Sequence, residues 1–315
     1  MRVTIGLDVG GTKLLALALD PVTGEILATD RRPTPRGAEG LIDGMVAAVT
    51  DLSAHLDLGP DTRVGVGLAG LVDHRGVLRH GPNQPGVREL DVHRGLTARL
   101  GDRVTVDNDG NCALWAEWVS GAAQGSQDAL LVTLGTGIGA GLVIGGRLVR
   151  GANGMAGEPG HTTVDPNGPP CPCGRRGCWE RYASGAGVAR MARDAAEAGQ
   201  LDGVLGAVGE DAVAIRGEDV VAAARAGDPQ AQAVLDEFAW WTALGIANLI
   251  AVVDPEIVVL GGGLIDAADL WLDETRRRLP ELTVAAGHRE LPPVVAAAHG
   301  SQAAALGAAL LAAEA

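Results

Sequence analysis

LDVGGTKLLALAL (Leu7–Leu19) and VTLGTGIGAGLVI (Val132–Ile144) are built on one plan. In each, an aliphatic run meets a turn of glycine and threonine, and a second aliphatic run leaves it. Apolar runs on either side of a Gly-rich turn predict a β-hairpin. Outward from the first copy, Glu25–Thr29 reads as a third strand and Arg31–Arg36 as a Pro/Arg-rich loop. Ala38–Leu56 then puts Leu41, Ile42, Met45, Val46, Val49, Leu52 and Leu56 on one helix face. Val64–Leu68 is a fourth strand and GLAGLVD (Gly67–Asp73) a second glycine turn. A strand hairpin, a helix and a strand are the beginning of an α/β sheet.

Further along, HGPNQPGV (His80–Val87) is a loop dense in turn formers, with Asn83 as a good hydrogen-bonding side chain. Asp91–Leu100 is a short helix and Val104–Val106 a short strand, followed directly by DNDGNCALWAEW (Asp107–Trp118). A carboxylate at the carboxyl end of a strand lies where ligands bind in α/β sheets. Equally, Asn108 or Asp109 can cap the helix that follows, and both roles can hold at once. After the second hairpin, Ser184–Ala198, Gly217–Ala226 and Gln230–Ala251 read as helices, the last burying Phe238, Trp241, Leu244, Leu249 and Ile250. Ile257–Leu260 is a strand ending in Gly261, Gly262 and Gly263, where a flat ring or ribose can come close to the backbone. A helix near Asp269–Arg278, a strand at Val294–Ala297 and an Ala/Leu helix at Ser301–Ala313, packing across a domain joint, complete the chain.

The turn GGTK offers unobstructed backbone N–H groups, with Thr12 and Lys13 as further donors, and can cradle phosphate oxygens. It is no Walker A loop, which needs GxxxxGK[ST] before a helix, and a lone Gly-Gly hairpin turn can equally be structural. Two such turns facing each other hold a nucleotide's phosphates from both sides. GTGIG (Gly135–Gly139) is followed by a strand, whereas a dinucleotide fingerprint opens a helix, so NAD is discounted.

Between the second hairpin and the helices lie EPGH (Glu158–His161) and CPCGRRGCWE (Cys171–Glu180). Three of the four cysteines, Cys171, Cys173 and Cys178, fall within eight residues, ten residues after His161. Three thiolates and an imidazole complete the tetrahedral shell of a structural zinc. The spacing is unlike that of a DNA-binding finger. A closed shell organises loops and activates no water. Glu158 and Glu180 flank the ligands, placed either to grip hydroxyl groups or to make exposed salt bridges.

At 315 residues with 47% hydrophobic content and 47 glycines, the chain has the length of about two domains and suits a turn-rich enzyme. A net charge of −14 argues against nucleic-acid or anionic-membrane surfaces, which need a Lys/Arg face. Lys13 is the one lysine among the 25 lysines and arginines. No signal peptide is evident and no apolar segment reaches the ~18 residues of a membrane span. The expectation is a cytoplasmic protein whose clustered cysteines bind metal in a reducing compartment.

The motifs DVGGTK, GLAGLVD, DNDGN, LGTGIGAGL, EPGH, CPCGRRGCWE and LGGGL, in this order, resemble the ROK family of sugar kinases and regulators, most of all its bacterial glucokinases. The resemblance implies an α/β, two-domain actin/Hsp70/hexokinase-like (ribonuclease H-like) fold with a cleft between domains. The domains implied are residues 1–118, joined by the C-terminal helix 301–315, and 119–300 with the zinc site. It implies an ATP-dependent hexokinase that phosphorylates the 6-hydroxyl of glucose, with N-acetylmannosamine or another hexose as the alternative substrate. Asp109 would be the general base. Asn83, Asn108, Glu158, His161 and Glu180, together with Asp109 itself, would bind sugar hydroxyls. Gly10, Gly11, Thr12, Lys13, Thr136 and Gly137 would line the phosphates, Asp8 would act near Mg²⁺ and Gly262 near the adenosine. His161, Cys171, Cys173 and Cys178 would hold zinc. The partners implied are a hexose, ATP and further copies in a homodimer or homotetramer, without nucleic acid or membrane. PNQPGV (Pro82–Val87) departs from the family's usual PNLPGW at Gln84 and Val87, which puts the choice of hexose in question. The different-class alternative is a sugar-sensing regulator. Family repressors carry a helix-turn-helix before the kinase-like part, and here the first strand begins at Val3.

Overall fold

A computed structural model describes residues 3–81, 84 and 86–315. Asn83 lies outside the described residues. The elements in order are β1 (Thr4–Val9), β2 (Lys13–Asp20), β3 (Glu25–Pro33), α1 (Ala38–His55), β4 (Arg63–Leu68), β5 (Leu71–Val72), β6 (Val77–His80), β7 (Arg88–Asp91), α2 (Val92–Leu100), β8 (Val104–Asn108) and α3 (Asp109–Ser120). There follow β9 (Ala129–Leu134), β10 (Ile138–Ile144), β11 (Arg147–Leu148), α4 (Gly185–Glu197), α5 (Asp202–Ala207), α6 (Gly217–Arg225), α7 (Pro229–Val253), β12 (Ile257–Gly261), α8 (Leu272–Leu282), β13 (Val294–Ala296) and α9 (Ala303–Glu314). The chain divides into two compact units, Met1–Leu131 with Ala140–Gly157 and Ala297–Ala315, and Val132–Gly139 with Glu158–Ala296.

The two hairpins of like sequence open two sheets of like topology. One sheet has the order β3-β2-β1-β4-β8, the other β11-β10-β9-β12-β13. Numbered within its own sheet, each reads 3-2-1-4-5. In the first, β1 pairs antiparallel with β2 and parallel with β4, which pairs parallel with β8. Helices cover both faces of that sheet, so β2 is buried from Leu14 to Asp20 and reads as a continuous apolar run. Ile5, Leu7, Leu14 and Ala16 pack with Leu41, Met45 and Val49 of α1 in one core. The alternate face, at Gly6 and Gly65, meets α9.

The terminal helix is a correction. It was expected to pack across a domain joint, yet α9 lies inside the first unit, against β1, β2, β4 and α3. Its Ala/Leu composition has no polar stripe because most of its residues, from Ala303 to Ala312, are buried, and a helix buried all round is apolar all round. Contact is so close that a Cβ on Gly307 would stand 1.7 Å from the Cys112 carbonyl oxygen and one on Gly65 1.8 Å from that of Ala308. Both obstacles are backbone atoms, which cannot rotate aside. Gly307→Ala is therefore expected to cost on the order of 3 kcal/mol, read as a lowered urea midpoint. An unchanged midpoint would show that α9 can move off α3 at little cost.

Other differences have local causes. β3 runs on through Arg31 and Arg32 to Pro33, residues expected in a loop. It is an edge strand, where charge and proline are tolerated. β5, β6 and β7 form a three-stranded sheet that no pattern announced, since strands of two to four residues are too short to alternate. α5 was also unannounced. Gly263–Leu270 forms 3₁₀ turns, so α8 starts at Leu272 and not near Asp269. In α7, Phe238 and Ile250 are buried as expected, whereas Trp241, Leu244 and Leu249 are half-buried. Among the described residues α7 alone is long and apolar enough to cross a membrane, and here it packs on α4, α6 and α8.

Candidate functional site

In the first unit the parallel register sets Asp8 of β1 beside Gly67 of β4, and Gly67 beside Asp107 of β8. Their carboxyl ends therefore form one edge, and α3 starts from it. Asn108 is the cap of α3. Its Oδ1 accepts the N–H of Gly110 at 2.8 Å and of Asn111 at 3.2 Å, while its Nδ2 donates to the Gly70 carbonyl at 3.1 Å. The cap fixes Asp109 as the first helical residue, with its Oδ1 accepting from the Gly110 N–H at 3.0 Å.

Burial raises the Asp109 carboxyl from the usual 3.8 to about 6, against the pull of the Gly110 and Asp109 N–H groups and the Asn108 amide. Burial likewise raises Asp8 to about 7, aided by the charge of Asp109 and opposed by Lys13. The charge of Asp109 thus discourages ionisation of Asp8, an arrangement suited to a base beside a cation ligand. The arrangement costs stability. A carboxyl moved from 3.8 to about 7 carries on the order of 4 kcal/mol against its ionised form. The folded state holds this proton more tightly than the unfolded one, so the penalty is absent below the unfolded value, grows as pH rises, and is complete above about 7. Asp8→Asn is expected to raise the melting temperature of the ligand-free protein by several degrees at pH 8, and progressively less towards pH 4. A gain that does not vary with pH would refute the electrostatic origin.

Asp107 went unassigned from the sequence. Its Oδ1 accepts the Asn108 N–H and the Asn111 Nδ2, both at 2.8 Å, and its Oδ2 accepts from Arg150 Nε at 2.6 Å. It braces the strand end that presents Asp109. The DND triplet hinted at this, but its partner Arg150 lies 43 residues away. The turn between β1 and β2 closes with Gly10 N–H donating to the Lys13 carbonyl at 3.1 Å. Thr12 and Lys13 are exposed, while Gly10 and Gly11 are partly buried.

The second unit holds the metal-ligating cluster. Atoms of His161, Cys171, Cys173 and Cys178 all lie within 4.8 Å of one another. Cys173 Sγ is 3.6 Å from Cys178 Sγ, and Cys171 Sγ is 3.8 Å from His161 Nδ1. A tetrahedral ion with metal–sulfur bonds of ~2.3 Å has an edge of ~3.8 Å, so the donor set fits zinc. Gly174 and Gly177, at φ 89° and 62°, make the turns that fold three thiols inward. Without an ion, burial and Glu180 push the Cys171 thiol well above the usual thiol range; a bound dication reverses that preference. Next to Cys178 the buried Trp179 donates from Nε1 to the Trp241 carbonyl at 2.7 Å, which ties the cluster to α7.

Glu180 stands at the cluster's edge, with Oε1 3.0 Å from Cys171 Sγ and 3.5 Å from His161 Nδ1. The GTGIG turn reaches the same place, since a Cβ on Gly137 would lie 2.7 Å from Glu180 Oε2. Gly185 N–H donates to the Gly135 carbonyl at 2.8 Å, and Thr136 is exposed. Glu158 is partly buried and its carbonyl accepts the His161 N–H at 3.2 Å. The close approach at Gly262, expected for a ligand ring, is met by this chain's own backbone: a Cβ there would lie 2.5 Å from the Leu134 carbonyl oxygen. Thus the first unit brings together Asp8, Asn108, Asp109 and the Gly10–Lys13 turn, and the second His161, the three cysteines, Glu180 and Gly137.

Comparison with known proteins adds three kinds of likeness. A family model described as ROK family matches residues 4–315. The chain is 38% identical over 317 residues to a glucokinase of Streptomyces coelicolor, covering 100% of this chain and 98% of that protein. It is 37% identical over 314 residues to an N-acetylmannosamine kinase of Escherichia coli O157:H7, covering 98% of each. Among solved structures, a ROK family glucokinase from Streptomyces griseus in complex with glucose and AMPPNP superposes with a TM-score of 0.87 at 39% identity, covering 99% of this chain and 100% of that one.

Proposed function

Because the chain belongs to the ROK family, we propose that it is an ATP-dependent hexose kinase that transfers the γ-phosphate of ATP to the 6-hydroxyl of glucose. The observation that carries this reading is Asp109, a carboxylate held by a capped helix start and raised to about 6, so that it is ionised at neutral pH and still basic enough to take a proton. The sugar oxygen attacks the γ-phosphorus, its proton passes to Asp109, and the bond to the ADP oxygen breaks. Alignment and charge neutralisation do most of the work in such transfers.

In this reading Asn83, Asn108, Glu158, His161 and Glu180 hold sugar hydroxyls. The backbone of Gly10, Gly11, Thr12, Thr136 and Gly137, with the Lys13 ammonium, lines the phosphates, and Gly262 adjoins the adenosine. Asp8 sits near Mg²⁺, which when bound draws negative charge from the transferred phosphoryl group. His161, Cys171, Cys173 and Cys178 hold a structural zinc that fixes the loop bearing Glu180. The same reading makes the protein a cytoplasmic homodimer or homotetramer that engages neither membrane nor nucleic acid. Glucose and ATP are supported by the ligands of the Streptomyces griseus relative. A second reading, phosphorylation of N-acetylmannosamine, is supported by the 37% identical kinase for that sugar.

ADP release with MgATP against glucose, mannose, N-acetylmannosamine, N-acetylglucosamine, fructose and allose separates the two. Turnover is expected with glucose and little with acetamido sugars. Turnover with N-acetylmannosamine alone would transfer the assignment to the second reading, and none with any sugar would favour a sensor.

A further inference from the structure

Gln84 stands where the family usually has leucine, one of the two departures that put the choice of hexose in question. Its side chain goes elsewhere. Gln84 is a buried polar residue, 6% exposed, and its Nε2 donates to the Gly10 carbonyl at 3.1 Å. The same carbonyl accepts from Thr34 Oγ1 at 2.8 Å. Backbone bonds hold Gln84 in place, from its N–H to the Gly81 carbonyl and from the Val87 N–H to its own carbonyl, both at 3.0 Å.

The Gly10 carbonyl and the Gly11 N–H share one planar trans peptide and point in opposite directions. Two donors gripping the carbonyl therefore aim the N–H the other way. Among the described residues neither the Gly11 nor the Thr12 N–H donates to a protein acceptor, which leaves both for an anion. Gln84 is also the covalent neighbour of Asn83.

We propose that Gln84 is a positioning residue that couples the hexose loop to the phosphate turn: with the sugar held through Asn83, the Gln84 amide fixes the Gly10–Gly11 peptide and tightens the grip on the nucleotide's phosphates. This rests on Gly10–Lys13 being the phosphate turn of a hexose kinase. The coupling is thermodynamic, so each ligand raises affinity for the other by one factor. A leucine at this position has no donor to supply the link.

The test is calorimetric binding of MgADP with and without glucose, for the wild type, Gln84→Leu, the near-isosteric Gln84→Met, and Thr34→Val. Losing one hydrogen bond is expected to weaken MgADP about 2- to 10-fold in each variant. In the wild type and Thr34→Val, glucose should tighten MgADP. In the Gln84 variants that effect should fall away while affinity for glucose alone changes less than 2-fold, roughly the lower limit for one lost bond. The proposal is overturned if both Gln84 variants bind MgADP like the wild type, if glucose tightens MgADP in them undiminished, or if they alter only sugar affinity. Should no hexose bind, the kinase assignment fails by itself, and MgADP affinity without sugar still decides whether Gln84 positions the turn.

Discussion

Asp109→Asn is expected to lower kcat by about 10²- to 10⁴-fold, the usual contribution of a positioned base, with little change in the KM for either substrate. Asparagine keeps the shape at the start of α3 and the Asn108 cap, but its carboxamide takes no proton. The wild-type kcat/KM should rise with pH through about 6 and level off above it, because burial has raised the carboxyl to that value and only the ionised form accepts the proton. The residual rate of the variant should lack that limb. Stability provides the control. The variant removes a charge that burial opposes, so its melting temperature at neutral pH should equal or exceed the wild type's. Retention of a tenth or more of the activity would exclude Asp109 as the base.

The second large effect concerns the metal. The purified protein should contain one zinc per chain, and Cys178→Ser should lose it. Cys178 is fully buried, and its neighbour Trp179 pins the cluster to α7. Structural zinc contributes on the order of 10 kcal/mol to the folding of small zinc domains. Here the ion closes one loop of a larger unit, so its loss should lower the melting temperature markedly and reduce turnover by at least ~10²-fold, in line with what displaced positioning groups cost. Glu180 should move with the loop, since its carbonyl accepts from Ser184 Oγ at 2.5 Å and its carboxyl lies against Cys171. Stripping the wild type with a strong chelator should reproduce both losses, and added zinc should reverse them in the wild type but not in Cys178→Ser. Full activity in verified zinc-free protein would sink the structural role.

These expectations differ in how much of them the chain displays by itself. The cluster was legible because its ligands are local: three cysteines within one loop and a histidine ten residues away need only two glycine turns to converge. At the start of α3 a strand end followed directly by a helix was legible, but Asn108 and Asp109 were both open as its cap, and the structure makes Asn108 the cap and Asp109 the first helical residue. Both hairpins could be read from apolar runs around Gly-rich turns, and the shared 3-2-1-4-5 order of their sheets extends that repeat beyond what the two short stretches could prove.

Contacts between distant segments were another matter. That α9 is a core helix follows from backbone approach at Gly6, Gly65 and Gly307 to partners up to 303 positions away, and a glycine in a strand or helix pattern does not say whose backbone it admits. Arg150 pairing with Asp107 and Gln84 reaching Gly10 are of the same kind. Residue type and spacing along the chain specify strands, turns, caps and a compact ligand shell, because those depend on neighbours a few positions apart. Which buried side chain meets which distant carbonyl depends on the packing of whole sheets and helices, and the Gln84 amide on the Gly10 carbonyl is a case of it.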